Sequence, residues 1–354
     1  MTTPRRDFLK TAGLIGAGSL LTPEPATAIN RARKPIDEYD PRNVKLARRV
    51  NGSLSDDDMM FLQQLGLRSV RVDLTRQQAN LGFLRDLQKR FAKHNIQIYS
   101  AVHPVQGSVN IGLGRPERDA EIREYQDFLK ALGRLKIPVA GYAFHPGNTY
   151  STGRVVHRGY SVRAFDLDVF RKSVEKMRFD REYGAEEMWG NYEYFIKRVL
   201  PVAEDSDVRM ALHPDDPPVE SLRGTGRLLT SHDALQRLVD LVPSPSNGLE
   251  FCQGTVSEMG SDRAVEAIER FAGQGKIFYV HFRNVRGGFP KFDEVFIDEG
   301  DVDMFRAMQT YKEVGFDGPF MMDHTPSIPD DREQRQGHAY ATGYIRAMIQ
   351  AIYR

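Results

Sequence analysis

Cysteine is nearly absent: Cys252 is the single thiol in 354 residues. One sulfur excludes an intrachain disulfide framework in any compartment, so stability must come from a packed core. An excess of one charge is also missing, because 49 basic residues face 48 acidic ones for a formal net charge of +1. That balance supplies neither a basic stripe for nucleic acid nor a patch for an anionic membrane, and it directs the search to a small-molecule site. The run Thr11 to Leu21 is too short and too rich in glycine to span a bilayer. Internal repeats and low-complexity stretches are absent as well.

What is present is an ordinary globular composition, 40% hydrophobic and 27% charged, with ample material for one large core. Residues 1–28 read as an export signal: Arg5-Arg6-Asp-Phe8-Leu9-Lys10 resembles the twin-arginine consensus, and Ala26-Thr-Ala28 has the small residues of a cleavage site. This predicts a periplasmic or otherwise extracytoplasmic protein with no stable membrane association after processing. Residues 29–42 are polar and charged and read as a linker, which leaves 43–354 as the catalytic domain.

From Val44 onward, extended and helical patterns alternate. Val44 to Val50 and Ser69 to Leu74 read as strands, Gln77 to His94 and Pro116 to Lys136 as amphipathic helices, and Ser55 as the cap of a helix with acids in its first turn. Val155 to Arg163 reads as a polar basic loop and Gly287 to Gly300 as another. Asp301 is a plausible N-cap for a helix running to Val314. The count is about eight strand–helix pairs, which is the pattern of an α/β (β/α)₈ TIM barrel; such barrels reach ~250 residues or more as one domain.

Four apolar runs end abruptly in a metal-capable side chain. They are Met210-Ala-Leu212 before His213, Leu249-Glu-Phe251 before Cys252, Ile277-Phe-Tyr-Val280 before His281, and Pro319-Phe-Met-Met322 before Asp323. Barrel chemistry is built at the carboxyl ends of strands, so these residues would converge from strands five to eight. Two imidazoles, a thiolate and a carboxylate suit Fe(II), Mn(II), Zn(II) or Co(II) better than Ca(II) or Mg(II), which prefer oxygen cages.

Other residues are placed around that set. His324 is the expected general acid or base, since imidazole is the side chain that ordinarily titrates near neutral pH. Asp215 and Asp216 would orient ligands or accept hydrogen bonds from substrate hydroxyls, with Asp215 expected among the catalytic residues and Asp216 among the substrate contacts. Arg283, two residues beyond His281, would share its face and clamp a carboxylate through a two-pronged guanidinium contact. His103 also ends a strand and is expected to touch substrate.

These segments resemble the mannonate dehydratase family: His213-Pro-Asp-Asp-Pro-Pro218, Gly248-Leu-Glu-Phe-Cys252, His281-Phe-Arg-Asn-Val285, Phe296-Ile-Asp-Glu-Gly-Asp-Val-Asp-Met304 and Asp323-His324. The resemblance runs from about Val44 to the C-terminus. It implies a barrel of the xylose-isomerase-like kind, Mn(II) or Fe(II) held by His213, Cys252, His281 and Asp323, and a hydro-lyase that converts an aldonate to a 2-keto-3-deoxy acid in uronate breakdown. His324 matches the family's acid/base histidine, and Asp298 joins the expected substrate contacts. The chain departs from the family in having no tyrosine between Pro326 and Gly337. A metal-dependent sugar isomerase or epimerase and a non-catalytic sugar-binding barrel are the competing readings, and a homo-oligomer is left open.

Overall fold

The structure, a computed structural model, describes residues 36–353 apart from 39, 41, 147 and 148. The expected export signal therefore lies outside the described residues, as does most of the expected linker. Ile36 packs against the core, and the Glu38 carboxylate accepts from the Leu46 amide at 3.0 Å.

Eight strands form the staves of a closed parallel barrel: β1 Lys45–Asn51, β2 Ser69–Asp73, β3 Gln97–Val102, β4 Val139–Tyr142, β5 Arg209–Leu212, β6 Asn247–Cys252, β7 Ile277–His281 and β8 Pro319–Met321. Closure is made by β8 on β1, with Lys45 opposite Pro319 and Leu46 opposite Phe320. Alternate residues of each stave point outward to the helices and inward to the barrel axis. On β2, Val70 and Val72 are wholly buried in the outer core. The base of the barrel interior is filled by Ala47, Tyr99, Val139, Ala211, Phe278, Tyr279 and Met321.

The surrounding helices form for local reasons. Asp56–Gln64 is opened by a reciprocal capping box, in which Ser55 accepts from the Asp58 amide while Asp58 accepts from the Ser55 amide. Arg118–Arg134 buries Ile122, Tyr125, Phe128, Leu129 and Leu132, a helical spacing that lays one apolar stripe on the barrel. Each such side chain contributes about 1.5–3 kcal/mol by leaving water. The helix expected from Asp301 begins instead at Met304, where Asp303 caps the Arg306 amide. Asp301 accepts from the Gly287 amide at 2.7 Å and so closes the preceding loop.

The two expected loops over the barrel mouth turn out to be one structure. Gly153–His157 and Tyr160–Asp166 form a hairpin, and Lys291–Asp293 and Arg286–Gly288 extend it to a four-stranded antiparallel sheet. The hairpin turn is Arg158-Gly159, both with positive φ (46° and 85°). That is the turn handedness that matches strand twist, and glycine supplies it without steric cost. Tyr160, Val162 and Phe165 are buried beneath this roof, and Phe165 stacks on Phe292 with ring centroids 5.4 Å apart.

Candidate metal and acid–base site

The chemistry sits where β5 to β8 end. His213 follows β5, Cys252 closes β6, His281 closes β7, and Asp323 lies just beyond β8. One ligand atom from each of His213, Cys252 and His281 lies within 4.8 Å of the others. A single divalent ion about 2.0–2.3 Å from each donor needs separations of that order. Asp323 Oδ2 stands 3.6 Å from His281 Nδ1, so a carboxylate lies beside one of the three, although the group within 4.8 Å of one another does not extend to Asp323. The donor set fits a borderline divalent ion, and both Asp323 Oδ1 and the His281 ring nitrogens lack hydrogen-bond partners among the described residues.

The surroundings orient both imidazoles. His213 Nδ1 lies 2.6 Å from the Pro214 carbonyl oxygen; that oxygen can only accept, so Nδ1 carries the proton and Nε2 is left as the donor atom. Glu250 Oε1 lies 2.9 Å from His281 Nε2. This contact is out of line with the ring N–H and acts electrostatically, favouring the proton on Nε2 and the lone pair on Nδ1. Burial opposes the charge on Asp323, but His324, His281, Arg283 and His213 outweigh it and hold its carboxyl well below the ordinary range. Burial likewise opposes the charge on Glu250, and Arg71 and His281 reverse that effect.

Glu250 was invisible as a functional residue because it lies inside an apolar run. Its position two residues before Cys252 puts it on the same inward face. There it accepts from the buried Tyr279 hydroxyl. Gly141 on β4 makes this possible, since any side chain there would collide with the Tyr279 hydroxyl and crowd Glu250.

A cavity of about 350 Å³ opens above these groups, and its lining includes Arg49, Arg71, Arg163, His213, Asp216, Glu250, His281, Asp323 and His324. A second space of about 700 Å³ shares Arg49, Asp323 and His324 with it and extends the bowl over β1 and β2. His324 faces both. Its Nε2 is 2.8 Å from Glu294 Oε2 and 3.5 Å from Asp323 Oδ2. Asp216 accepts from Arg283 at 3.0 Å and lies 3.5 Å from Arg163, while Arg163 Nε donates to Glu294 at 2.7 Å.

Four expected contacts stand elsewhere. Arg283 is 1% exposed and does not line the cavity. Its Nη2 donates to Asp216, Glu258 and Thr255 at 3.0, 3.0 and 3.1 Å, and Glu294 lies 3.5 Å from Nη1. Asp323 Oδ1 lies 3.8 Å from Nε, so four acids surround the guanidinium although Nε and Nη1 make no hydrogen bond among the described residues. Gly254 gives it room, because a side chain there would overlap the guanidinium. Asp215 turns inward, accepting from the Leu228 and Leu229 amides at 2.9 Å and pairing with Arg227 at 3.1 Å. Asp298 is exposed and accepts from the Tyr340 hydroxyl at 2.6 Å, outside the bowl.

His103 is the fourth. It is buried between Tyr125 and Phe128, and its Nδ1 accepts from the Val105 amide at 3.0 Å, capping a short turn. Burial pushes this imidazole down to about 4, with Glu124 opposing and Arg76 assisting. Between pH 6.5 and 4 the unfolded chain therefore binds a proton that the folded chain refuses, so stability falls as pH falls. The loss from this one group is about 3 kcal/mol when complete. The His103→Asn protein, which keeps a capping acceptor, is expected to lose less stability across that window in urea titrations; an unchanged pH slope would refute the assignment.

A model of the D-mannonate dehydratase family (UxuA) matches residues 162–353. The mannonate dehydratase of Streptococcus uberis is 30% identical over 287 residues, covering 71% of this chain and 82% of the relative. Mannonate dehydratase 2 of Halalkalibacterium halodurans is 29% identical over 263 residues, covering 66% of this chain and 76% of the relative. The solved mannonate dehydratase of Streptococcus suis serotype2 superposes with a TM-score of 0.76 at 25% identity, over 87% of this chain and 95% of that one. A D-psicose 3-epimerase from Clostridium cellulolyticum H10 shares the fold, with a TM-score of 0.59 at 14% identity over 87% of this chain and 99% of that one.

Proposed function

The chain belongs to the mannonate dehydratase family, and from that premise we propose that its bowl removes water from an aldonate, converting D-mannonate to 2-keto-3-deoxy-D-gluconate. The observation that carries the reading is the convergence of His213, Cys252 and His281 at the barrel mouth with Asp323 beside them. In the overall change the substrate loses the proton at C2 and the hydroxyl at C3, and the resulting enol becomes a ketone; the two departing groups leave as one water.

His213, Cys252, His281 and Asp323 would hold a divalent ion, Mn(II) or Fe(II). When bound, that ion supplies Lewis acidity toward the negative charge that develops when C2 loses its proton. The chain's own groups do the rest. His324 stands at the junction of the two spaces with Glu294 against Nε2, placed to move a proton at the reacting carbons or the departing oxygen. Asp216, held by Arg283 and Arg163, presents an acceptor to substrate hydroxyls. The roof over the mouth limits water around the developing charge.

The direct test is incubation of the metal-loaded protein with D-mannonate and detection of a 2-keto-3-deoxy acid. Turnover is expected. Interconversion of an aldose or ketose with no dehydration of any aldonate would transfer the site to isomerase or epimerase chemistry, and tight sugar binding without turnover would make it a binding barrel. Cys252→Ser is expected to lower metal occupancy by at least about tenfold at limiting metal; wild-type occupancy would remove the thiolate from the site.

The N-terminal pattern supports export by the twin-arginine route to an extracytoplasmic location. Replacing Arg5 and Arg6 by lysine is expected to retain the protein in the cytoplasmic fraction, and unchanged fractionation would refute that route.

A further inference from the structure

We infer that Arg71, on the opposite side of the barrel from the thiolate, is the group that receives the carboxylate of the sugar acid. The inference rests on the aldonate reading above and adds the residue that selects an acid over a neutral sugar.

Arg71 lies on β2, inward by the alternation that sends Val70 and Val72 outward, and it is 5% exposed. It reaches the cavity that also holds His213, His281 and Asp323. Its Nε and Nη1 donate to nothing among the described residues. The remaining nitrogen, Nη2, stands 3.4 Å from Asp73 and 3.7 Å from Glu250, closer to charge pairing than to hydrogen bonding. Charged donors left buried and unpaired are costly, so a cavity-facing guanidinium that keeps two of them suits a ligand that accepts from them.

Of the other guanidiniums near the bowl, Arg163 donates to Glu294 at 2.7 Å and Arg49 donates through Nε to Asp73 at 2.6 Å, with its side chain 44% exposed. Arg283 also keeps Nε and Nη1 without hydrogen bonds among the described residues, but it does not line the cavity. Arg71 is thus the buried, cavity-lining guanidinium with a free pair of nitrogens among these four. A role in neutralising Glu250 alone does not account for Arg71, because Glu250 already has the Tyr279 hydroxyl and His281, and Arg71 stops short of it. Asp73 and Glu250 instead keep the guanidinium charged and aimed, flanking it without filling its fork. Burial works against its charge, and those two carboxylates overcome burial.

The experiment compares D-mannonate with D-mannitol, which carries a hydroxymethyl group in place of the carboxylate, as ligands of the metal-loaded wild type, Arg71→Met and Arg71→Lys. Wild type is expected to bind the aldonate at least about 100-fold more tightly than the alditol. Arg71→Met should lose most of that preference and about 100-fold in kcat/KM while retaining its metal. Arg71→Lys, which keeps a cation beside Glu250, should recover part of both. Wild-type discrimination in either variant would overturn the assignment even if turnover fell, because a purely structural role moves stability and metal content but not the acid-to-alditol ratio. If Arg71→Met does not fold, Arg71→Lys decides: its point charge cannot reproduce the fork, so undiminished preference counts against Arg71. Failure of wild type to bind any aldonate would overturn the parent reading as well and is distinguishable on that ground.

Discussion

The His324→Gln protein is expected to fold, hold its metal and lose about 10²–10⁴-fold in kcat for aldonate dehydration. Glutamine places an amide nitrogen near the position of Nε2, so the contact with Glu294 can persist while the ability to exchange a proton is lost. That separation matters because Asp323, the neighbouring residue, belongs to the proposed ligand set. A fall in metal content would mean that His324 acts by supporting Asp323, whereas a large rate loss at full occupancy assigns it to proton transfer. Activity within tenfold of wild type would exclude it as the acid or base. The Glu294→Gln protein should show a smaller loss, because Glu294 orients the ring.

Arg283→Met should be the most damaging single change for stability, with a loss of about 3–5 kcal/mol in chemical denaturation. The reason is the company it keeps: Asp216, Glu258 and Glu294 are each at most 5% exposed and lie within 3.5 Å of the guanidinium. Removing the cation leaves three buried acids facing one another. Burial and Asp216 already raise the Glu258 carboxyl well above its ordinary range, with Arg283 as the opposing influence. Adding Glu258→Gln to Arg283→Met should therefore restore part of the loss, a coupling that a double-mutant cycle measures. A single-variant loss below about 1 kcal/mol would show that the acids find other partners.

The barrel was legible because its staves are short apolar runs between amphipathic helices, and each run that ends in His213, Cys252, His281 or Asp323 announces a strand terminus. The errors cluster immediately past those ends. Arg283 keeps the face of His281, with Phe282 turned outward onto Tyr311 and Phe320 and Arg283 Nε 3.8 Å from Asp323, but Asp216, Glu258 and Glu294 surround its guanidinium, which no local pattern announces. His103 follows the end of β3 and turns back to cap its own loop. Glu250 and Arg71 are the converse case. Both lie inside staves, where the period holds, and counting back from Cys252 or across from Val70 and Val72 puts them inward.

The roof was missed for a different reason. Its turn, Arg158-Gly159, lacks the asparagine or aspartate that usually marks a tight hairpin, and its other two strands come from the far end of the chain, so no local pattern announces the pairing. Phe165 and Phe292 meet only after folding.

Glu294 follows directly from Lys291–Asp293, an inner strand of the roof sheet, and its amide is anchored on the Arg163 carbonyl at 3.0 Å. The carboxylate beside His324 is thus delivered by the cover rather than by the barrel. A substitution that shifts how the cover seats would therefore move the acid beside His324 while leaving untouched the stave that carries the imidazole.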